Sequence, residues 1–149
     1  MNGSINIEKA SISLPLAVSE AFEVMAFMDV IETGPEECEY RYKIKIDILN
    51  PLHLKIDFYF MDDLKNKIIE NVYGEETVRL NEEAKDDCLL ELMNVLAGNF
   101  MSFYSGAGEA YEMNLPVMDD VLHKQNYSKY ISCYFNAEGL NFKVVINIK

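Results

Sequence analysis

Three polar residues and a glycine form a stripe along residues 81–104, a stretch that is otherwise apolar. Asp87, Glu91, Asn94 and Gly98 follow one another at steps of four, three and four residues. In an α-helix these steps keep successive residues on one face, and a glycine leaves room there for an approaching surface. The Asn94 amide can donate and accept hydrogen bonds without titrating, and the Glu91 carboxylate can engage a positive charge. These residues are therefore a candidate site for chemistry on a bound partner.

An ordinary solvated helix face is the alternative explanation of the stripe. Every helix at the surface of a domain has a polar side, and Glu and Asn are common there. The position of Glu91 and Asn94 distinguishes the two explanations. Exposure on an uncluttered face supports a functional site, whereas burial favours a structural role.

A downstream proline extends the stripe into a longer motif. Asp87, Glu91 and Asn94 are followed by twenty-one residues and then Pro116, and residues 94–99 read NVLAGN. This pattern resembles the signature of the CheC/CheX-type chemotaxis phosphatases, in which Asp or Ser, Glu and Asn at these spacings precede a proline. The run NVLAGN is similar to the CheX branch. The spacer before Pro116 is one residue shorter than in the signature, a difference that a loop can absorb.

The resemblance implies that the chain hydrolyses the aspartyl phosphate of a CheY-like response-regulator receiver domain, in chemotaxis or related two-component signalling. In the roles that it implies, Asn94 orients the attacking water and Glu91 engages the lysine of the receiver. Asp87 supports the contact from the side, and Gly98 leaves room for docking. It implies no cofactor of its own, because the receiver holds the Mg²⁺ ion.

The resemblance also bears on the organisation of the chain. It implies one CheX-like domain over residues 1–149 and a homodimer, since CheX-like proteins pair through sheet edges. Two alternatives to a phosphatase stay open. The chain could be a non-catalytic receiver-binding module of the same fold, or an unrelated structural protein in which the stripe is only solvated.

Length and charge narrow the possible classes of function. A chain of 149 residues is the size of one domain with a sizeable core. The net charge of -12 argues against binding to nucleic acid or to an anionic membrane surface. The first residues lack the pattern of a signal peptide, and no apolar run is long enough to span a membrane. We therefore expect a cytoplasmic protein.

Alternating residues predict two β-hairpins. Apolar and polar residues alternate through 40–60, around Asn50-Pro51, and again through 129–148, around Glu138-Gly139. We expect both hairpins in one sheet, with one face wet and the other buried beneath helices. The residues expected on the buried face are Ile44, Ile46, Ile56, Phe58, Phe142 and Val144. Residues 119–128 are polar and are expected to form a loop.

Helical patterns complete the prediction of an α/β fold of the two-layer α+β type, in which helices pack on a mostly antiparallel sheet. Helices are expected from Pro15 to about Ile31, over Asp63–Tyr73, and over 81–104. Residues 19–26 align weakly with 87–94. Each of these segments is followed by a hairpin, which indicates pseudo-symmetric helix-plus-hairpin repeats. In this alignment Glu23 matches Glu91, but Ala26 replaces Asn94, so the first repeat is not expected to be catalytic.

Overall fold

The computed structural model describes residues 4–36, 38–123, 127 and 129–149. Its α-helices are α1 (Ile7–Ala26), α2 (Asp62–Tyr73) and α3 (Glu82–Ser105), and a 3₁₀ helix (Gly74–Arg79) joins the last two. Its strands are β1 (Val30–Thr33), β2 (Tyr42–Asn50), β3 (Leu54–Phe60), β4 (Glu112–Met113), β5 (Val117–Asp119), β6 (Lys129–Ala137) and β7 (Leu140–Ile148). None of the helices is long and apolar enough to cross a membrane, as far as the chain is described.

The strands form one antiparallel sheet with the helices packed on it, which confirms the predicted α+β two-layer fold. The strand order is β1-β6-β7-β3-β2-β4, and β5 also pairs with β2. The two predicted hairpins, β2-β3 and β6-β7, are joined directly by the pairing of β3 with β7. All six residues expected beneath the helices are buried.

The strand order is nearly symmetric about the β3-β7 pair. Next to β3 lies β2, the first strand of its hairpin, and next to β7 lies β6, the first strand of the other hairpin. A short strand follows on each side, β4 beyond β2 and β1 beyond β6. The short strand of each half pairs with the hairpin of the other half: β1 with β6, and β5 with β2. The helix-plus-hairpin repeats are therefore interlocked across the sheet, and neither half completes its sheet alone.

The weak alignment of 19–26 with 87–94 does not give the structural register of the two repeats. That alignment pairs Val24, which is exposed, with Leu92, which is buried. An offset of 79 residues instead matches the buried positions of α1 to those of α3, from Ala10 on Leu89 to Phe22 on Met101. This register differs by eleven residues, about three helical turns. The position of α1 that corresponds to Glu91 is thus Ile12, and Glu23 has no equivalent role.

Helix α1 begins and ends earlier than the sequence pattern predicts. Asn6 caps its first turn, because its side chain accepts a hydrogen bond of 3.0 Å from the backbone N–H of Lys9. Pro15, expected at the start of the helix, lies inside it. The helix ends at Ala26, and Phe27 follows in a left-handed conformation with φ of 56°. Residues 30–33 form β1, so the predicted end of the helix at about Ile31 is wrong.

The wet face predicted for the sheet is largely covered. On the side away from the helices, Lys43, Lys55 and Asp57 are buried, although the alternation of the strands placed them in solvent. Part of the cover comes from the segment after β5, within the predicted loop 119–128. Residues 124–126 and 128 of that loop lie outside the described part of the chain.

Candidate functional site

Helix α3 positions the polar stripe because its other faces are committed to the core. Asn81 caps the helix by accepting a hydrogen bond of 2.8 Å from the backbone N–H of Ala84. Glu82 and Glu83 in the first turn complement the positive end of the helix dipole. The buried residues of α3 are Leu89, Leu92, Met93, Leu96, Ala97, Phe100, Met101 and Tyr104. These residues pack against the core, so the stripe from Asp87 to Asn94 faces away from it.

The three polar side chains of the stripe reach the surface. Asp87 and Glu91 are exposed, and Asn94 is half-buried. Hydrogen bonds and ion pairs within the described residues leave all three side chains unused, whereas neighbouring Asp86 pairs with Lys65 at 2.9 Å. A structural role would tie these groups to the fold. The exposure and the free hydrogen-bonding capacity instead leave them available to a partner.

A shallow groove of about 280 Å³ brings the parts of the sequence motif together. Its lining residues are Asp87, Leu90, Glu91, Asn94, Leu115 and Pro116. The proline, which twenty-one intervening residues separate from the helix motif, thus returns to the same surface. The groove combines a carboxylate pair, one amide and an apolar rim, and it is open enough to receive a protein surface.

Pairing with β2 holds the returning loop in place. Upstream of Pro116, the backbone N–H of Asn114 donates to the carbonyl oxygen of Asp47 at 2.9 Å, and Glu112 accepts a hydrogen bond from Asn50 at 2.9 Å. Downstream of Pro116, β5 pairs with β2. Both ends of the Leu115–Pro116 segment are therefore fixed to the sheet, which defines its position relative to α3.

Gly98 lies against a tyrosine, whereas the sequence suggested an open surface there. A Cβ atom at this position would stand 3.0 Å from the hydroxyl oxygen of Tyr111, which is tighter than an ordinary contact. Gly98 is half-buried and does not line the groove. Because Gly98 has no side chain, it leaves room for the loop that carries Tyr111. A contact between Gly98 and a partner remains a prediction.

The site residues predicted from the sequence do not include two apolar residues of the groove, Leu90 and Leu115, or Tyr111, which lies against Gly98. Leu90 is one of the apolar residues of α3, and it lines the groove together with Asp87 and Glu91. Leu115 is 81% exposed at the rim. Its place directly before Pro116 was the available signal. Tyr111 gave none, because nothing in the sequence shows where a loop residue will meet a helix.

The described residues contain no cluster of three His, Cys, Asp or Glu side chains arranged to hold a metal ion. The acidic residues of the groove, Asp87 and Glu91, come from a single helix face.

Comparisons with known proteins bear on the fold. No protein-family model matches the sequence, and no curated protein is similar enough to match it. Among solved structures, CheX from Desulfovibrio desulfuricans is 16% identical with a TM-score of 0.78, over 96% of this chain and 100% of that chain. CheX from Vibrio vulnificus is 18% identical with a TM-score of 0.78, over 97% of this chain and 99% of that chain.

A third similar structure is a CheX-CheY-BeF₃-Mg²⁺ complex from Borrelia burgdorferi. It is 15% identical with a TM-score of 0.72, over 98% of this chain and 99% of that chain. At these identities the likeness is one of fold, and it extends over nearly the whole of each chain. The chain therefore has the fold of the CheC/CheX-type chemotaxis proteins, the family whose signature its α3 helix resembles.

Proposed function

We propose that the chain is a cytoplasmic CheX-like phosphatase that hydrolyses the aspartyl phosphate of a CheY-like receiver domain. The observation that carries the proposal is the groove, where Glu91 and Asn94 stand side by side along α3 with their hydrogen-bonding groups unused. Asp87 and Pro116 complete the motif on the same surface. Four residues of a signature that converge in one groove are better explained by function than by a solvated helix face.

The chemistry suits these side chains. An acyl phosphate needs an attacking water held in line and compensation of the charge on its equatorial oxygens. Asn94 can accept a hydrogen bond from that water and donate one to the phosphoryl group, so it can orient the nucleophile. The receiver supplies Mg²⁺ and a lysine, and Glu91 can pair with that lysine to fix the docking. Asp87 adds negative charge next to the same contact.

The similar structure from Borrelia burgdorferi supports the class of partner. That structure holds CheX together with CheY, BeF₃ and Mg²⁺. Because this chain shares that fold, we infer that its α3 groove presents a surface for an equivalent complex. The exposed Leu115 at the rim would add apolar contact beside the polar groups, and protein interfaces combine contacts of both kinds.

A receiver-binding module without turnover is the second candidate, and the same surface favours it. Asp87, Glu91 and Leu115 could dock a receiver even if no water is activated. The two candidates differ in the lifetime of the receiver phosphate. Receiver domains are phosphorylated, freed of the phosphodonor and mixed with the protein, and the decay of phosphoaspartate is followed with and without it. Faster decay at substoichiometric protein supports the phosphatase, whereas binding with unchanged decay supports the module.

Glu91→Ala is expected to weaken both receiver binding and phosphate hydrolysis. The change removes the carboxylate that meets the receiver's lysine, and an ion pair of this partly exposed kind contributes up to about 1 kcal/mol, about fivefold in affinity. Receiver affinity by calorimetry and phosphate decay test this expectation. The matched control is Glu83→Ala, which removes an exposed carboxylate of the same helix two turns from Glu91. Equal effects of the two changes would contradict a specific contact at Glu91.

We also propose that the chain forms a homodimer through β1. Within the described residues β1 pairs only with β6, so its other edge offers backbone groups for a second copy. Ile31 of this strand is 64% exposed, and adjoining Phe27 is 68% exposed. An apolar patch beside an open strand edge suits the isologous contact of a two-fold dimer.

The dimer is tested by light scattering at micromolar concentration. We expect twice the mass of the chain for the unchanged protein and the mass of one chain for Ile31→Lys, because a charge at the edge opposes strand pairing. The control is Val78→Lys, at an exposed valine of the 3₁₀ helix away from the edge. A monomeric unchanged protein, or an Ile31→Lys variant that remains dimeric, would remove β1 as the interface.

A further inference from the structure

Tyr111 places a phenol hydroxyl on the same face of α3 as the polar stripe. Its oxygen lies 3.0 Å from the point where a Cβ atom of residue 98 would stand. Gly98 follows Asn94 by four residues, so the two positions are neighbours on one helix face, about 5–6 Å apart. The hydroxyl therefore extends the line of Asp87, Glu91 and Asn94 by one further helical turn.

Gly98 makes this close approach possible. A glycine inside a helix lowers the stability of the helix relative to alanine, and Gly98 does not have the positive φ that would favour glycine. Neither helix propensity nor backbone conformation therefore explains it. An alanine at this position would put its methyl group 3.0 Å from the hydroxyl oxygen of Tyr111, which is tighter than an ordinary contact. The glycine is explained by the room that it leaves for Tyr111.

The segment that carries Tyr111 is fixed to the sheet. Tyr111 directly precedes β4, which pairs with β2. The Glu112 carboxylate accepts a hydrogen bond of 2.9 Å from the Asn50 amide, and the backbone N–H of Asn114 donates to the carbonyl oxygen of Asp47 at 2.9 Å. The hydroxyl is thus held in place before a partner arrives, which reduces the conformational entropy lost on binding.

The fold does not use the Tyr111 hydroxyl, which makes no side-chain hydrogen bond to the residues that the structure describes. Two other tyrosines use theirs. The Tyr104 hydroxyl accepts a hydrogen bond of 2.8 Å from the backbone N–H of Asn6, and the Tyr42 hydroxyl donates one of 2.7 Å to Asp62. The Tyr111 side chain is 41% exposed. Its polar end is therefore positioned by the fold and available to a partner.

The segment from Tyr111 to Pro116 follows the stripe along α3. Tyr111 lies at Gly98, whereas Leu115 and Pro116 reach the groove beside Asp87. A partner that covers the groove and continues along the helix for one turn, about 5.4 Å, meets Tyr111. A stable protein interface buries about 800 Å² on each partner, which involves about 20–30 residues a side. The docking surface must therefore extend well beyond the six residues that line the groove.

We propose that Tyr111 is a specificity-determining residue of the receiver-docking surface, where its hydroxyl donates a hydrogen bond to an acceptor oxygen of the docked receiver. Gly98 acts through Tyr111, by leaving room for the hydroxyl. The inference rests on the proposed docking of a receiver at the α3 groove. Tyrosine is enriched among the interface residues that contribute most to affinity. A receiver without an acceptor opposite the hydroxyl would leave this group buried and unpaired, so the contact selects among receivers.

Calorimetric titration of the full chain with a CheY-like receiver, in the presence of BeF₃ and Mg²⁺, tests the inference. Tyr111→Phe removes only the hydroxyl oxygen and is expected to weaken binding about tenfold. In turnover, loss of a docking contact raises KM and leaves kcat nearly unchanged, whereas loss of a group that orients the water lowers kcat. The matched control is Tyr130→Phe, at a tyrosine of β6 that is 64% exposed, and it should bind unchanged.

Gly98→Ala tests whether the glycine acts through Tyr111. The added methyl group displaces the hydroxyl, so we expect a similar loss of affinity in the unchanged protein. In the Tyr111→Phe protein the hydroxyl is already absent, and Gly98→Ala should cause little further loss. The melting temperatures of the variants should stay close to that of the unchanged protein, because the hydroxyl has no partner among the described residues and alanine favours the helix.

The inference is overturned if Tyr111→Phe binds the receiver as tightly as the unchanged protein. It is also overturned if Gly98→Ala weakens binding as much in the Tyr111→Phe protein as in the unchanged one, since the two residues would then act separately. Both results leave the proposed phosphatase in place. Failure of the unchanged protein to bind any receiver of the same organism would instead overturn the proposed function, and the role of Tyr111 with it.

Discussion

Replacement of Asn94 by alanine is expected to slow receiver dephosphorylation on the order of 100-fold and to leave receiver binding nearly unchanged. The amide is the group in the groove that can both accept a hydrogen bond from water and donate one to the phosphoryl group. Its loss leaves the water without orientation. Most of the docking surface, including Glu91 and Leu115, remains intact. Phosphoaspartate decay and receiver affinity are measured on the same preparation.

Asn99→Ala provides the matched control for this experiment. Asn99 carries the same amide on the same helix, but its side chain donates to the carbonyl oxygen of Ala17 on α1 at 3.5 Å. We expect its removal to leave dephosphorylation unchanged. Asn94 makes no side-chain hydrogen bond to the described residues, so Asn94→Ala should shift stability by about 0.5 kcal/mol or less. Unchanged hydrolysis would reject the catalytic role of Asn94. A large loss of stability would indicate that Asn94 has a structural role instead.

The α3 site could be predicted because its geometry is local. Asp87, Glu91 and Asn94 lie within two turns of one helix, and helical periodicity alone sets their common face. Pro116 was tied to them by the resemblance rather than by physics. The structure shows what places Pro116 next to the helix, because the loop between them is attached to β2. That attachment depends on backbone pairing across distant segments, so no local pattern contains it.

The first repeat was predicted less well, because its elements depend on non-local contacts. Residues 30–33 form a strand only because β6 is present to pair with them, about a hundred residues further along. Their apolar and acidic residues are equally compatible with the end of a helix. The true start of α1 depends on the Asn6 cap, which lies well before Pro15, where the sequence pattern placed the start of the helix. Such short elements are decided by tertiary context.

The outer face of the sheet shows a different limit of sequence reasoning. Alternation in β2 and β3 correctly separated the two faces, but it could not show that the second face is covered. Lysine is a residue type typical of a solvated surface, but Lys43 and Lys55 are buried, and part of the cover over Lys43 comes from the segment after β5. Periodicity identifies which residues share a face, whereas the environment of that face depends on where distant segments pass.

The largest effect on stability is expected for Phe22→Ala, which should lower the free energy of unfolding by about 3–5 kcal/mol. Phe22 of α1 is fully buried, and its ring stacks on Phe142 at a centroid distance of 4.7 Å. It also meets Phe58 edge-on at 6.1 Å. These three rings join α1 to the central strands β3 and β7, one from each hairpin. Truncation removes aromatic contacts and leaves a cavity where helix and sheet meet.

Denaturant unfolding of Phe22→Ala is compared with that of Phe103→Ala. Phe103 is the same residue type on α3, but its side chain is partly exposed. Phe103→Ala should lower the free energy of unfolding by about 1 kcal/mol or less, since the Phe103 side chain removes less apolar surface from water on folding. Because the α3 groove lies away from Phe22, a Phe22→Ala sample that remains folded should keep its receiver affinity. A loss in Phe22→Ala no larger than in Phe103→Ala would show that the junction of α1 with β3 and β7 is not the centre of the core.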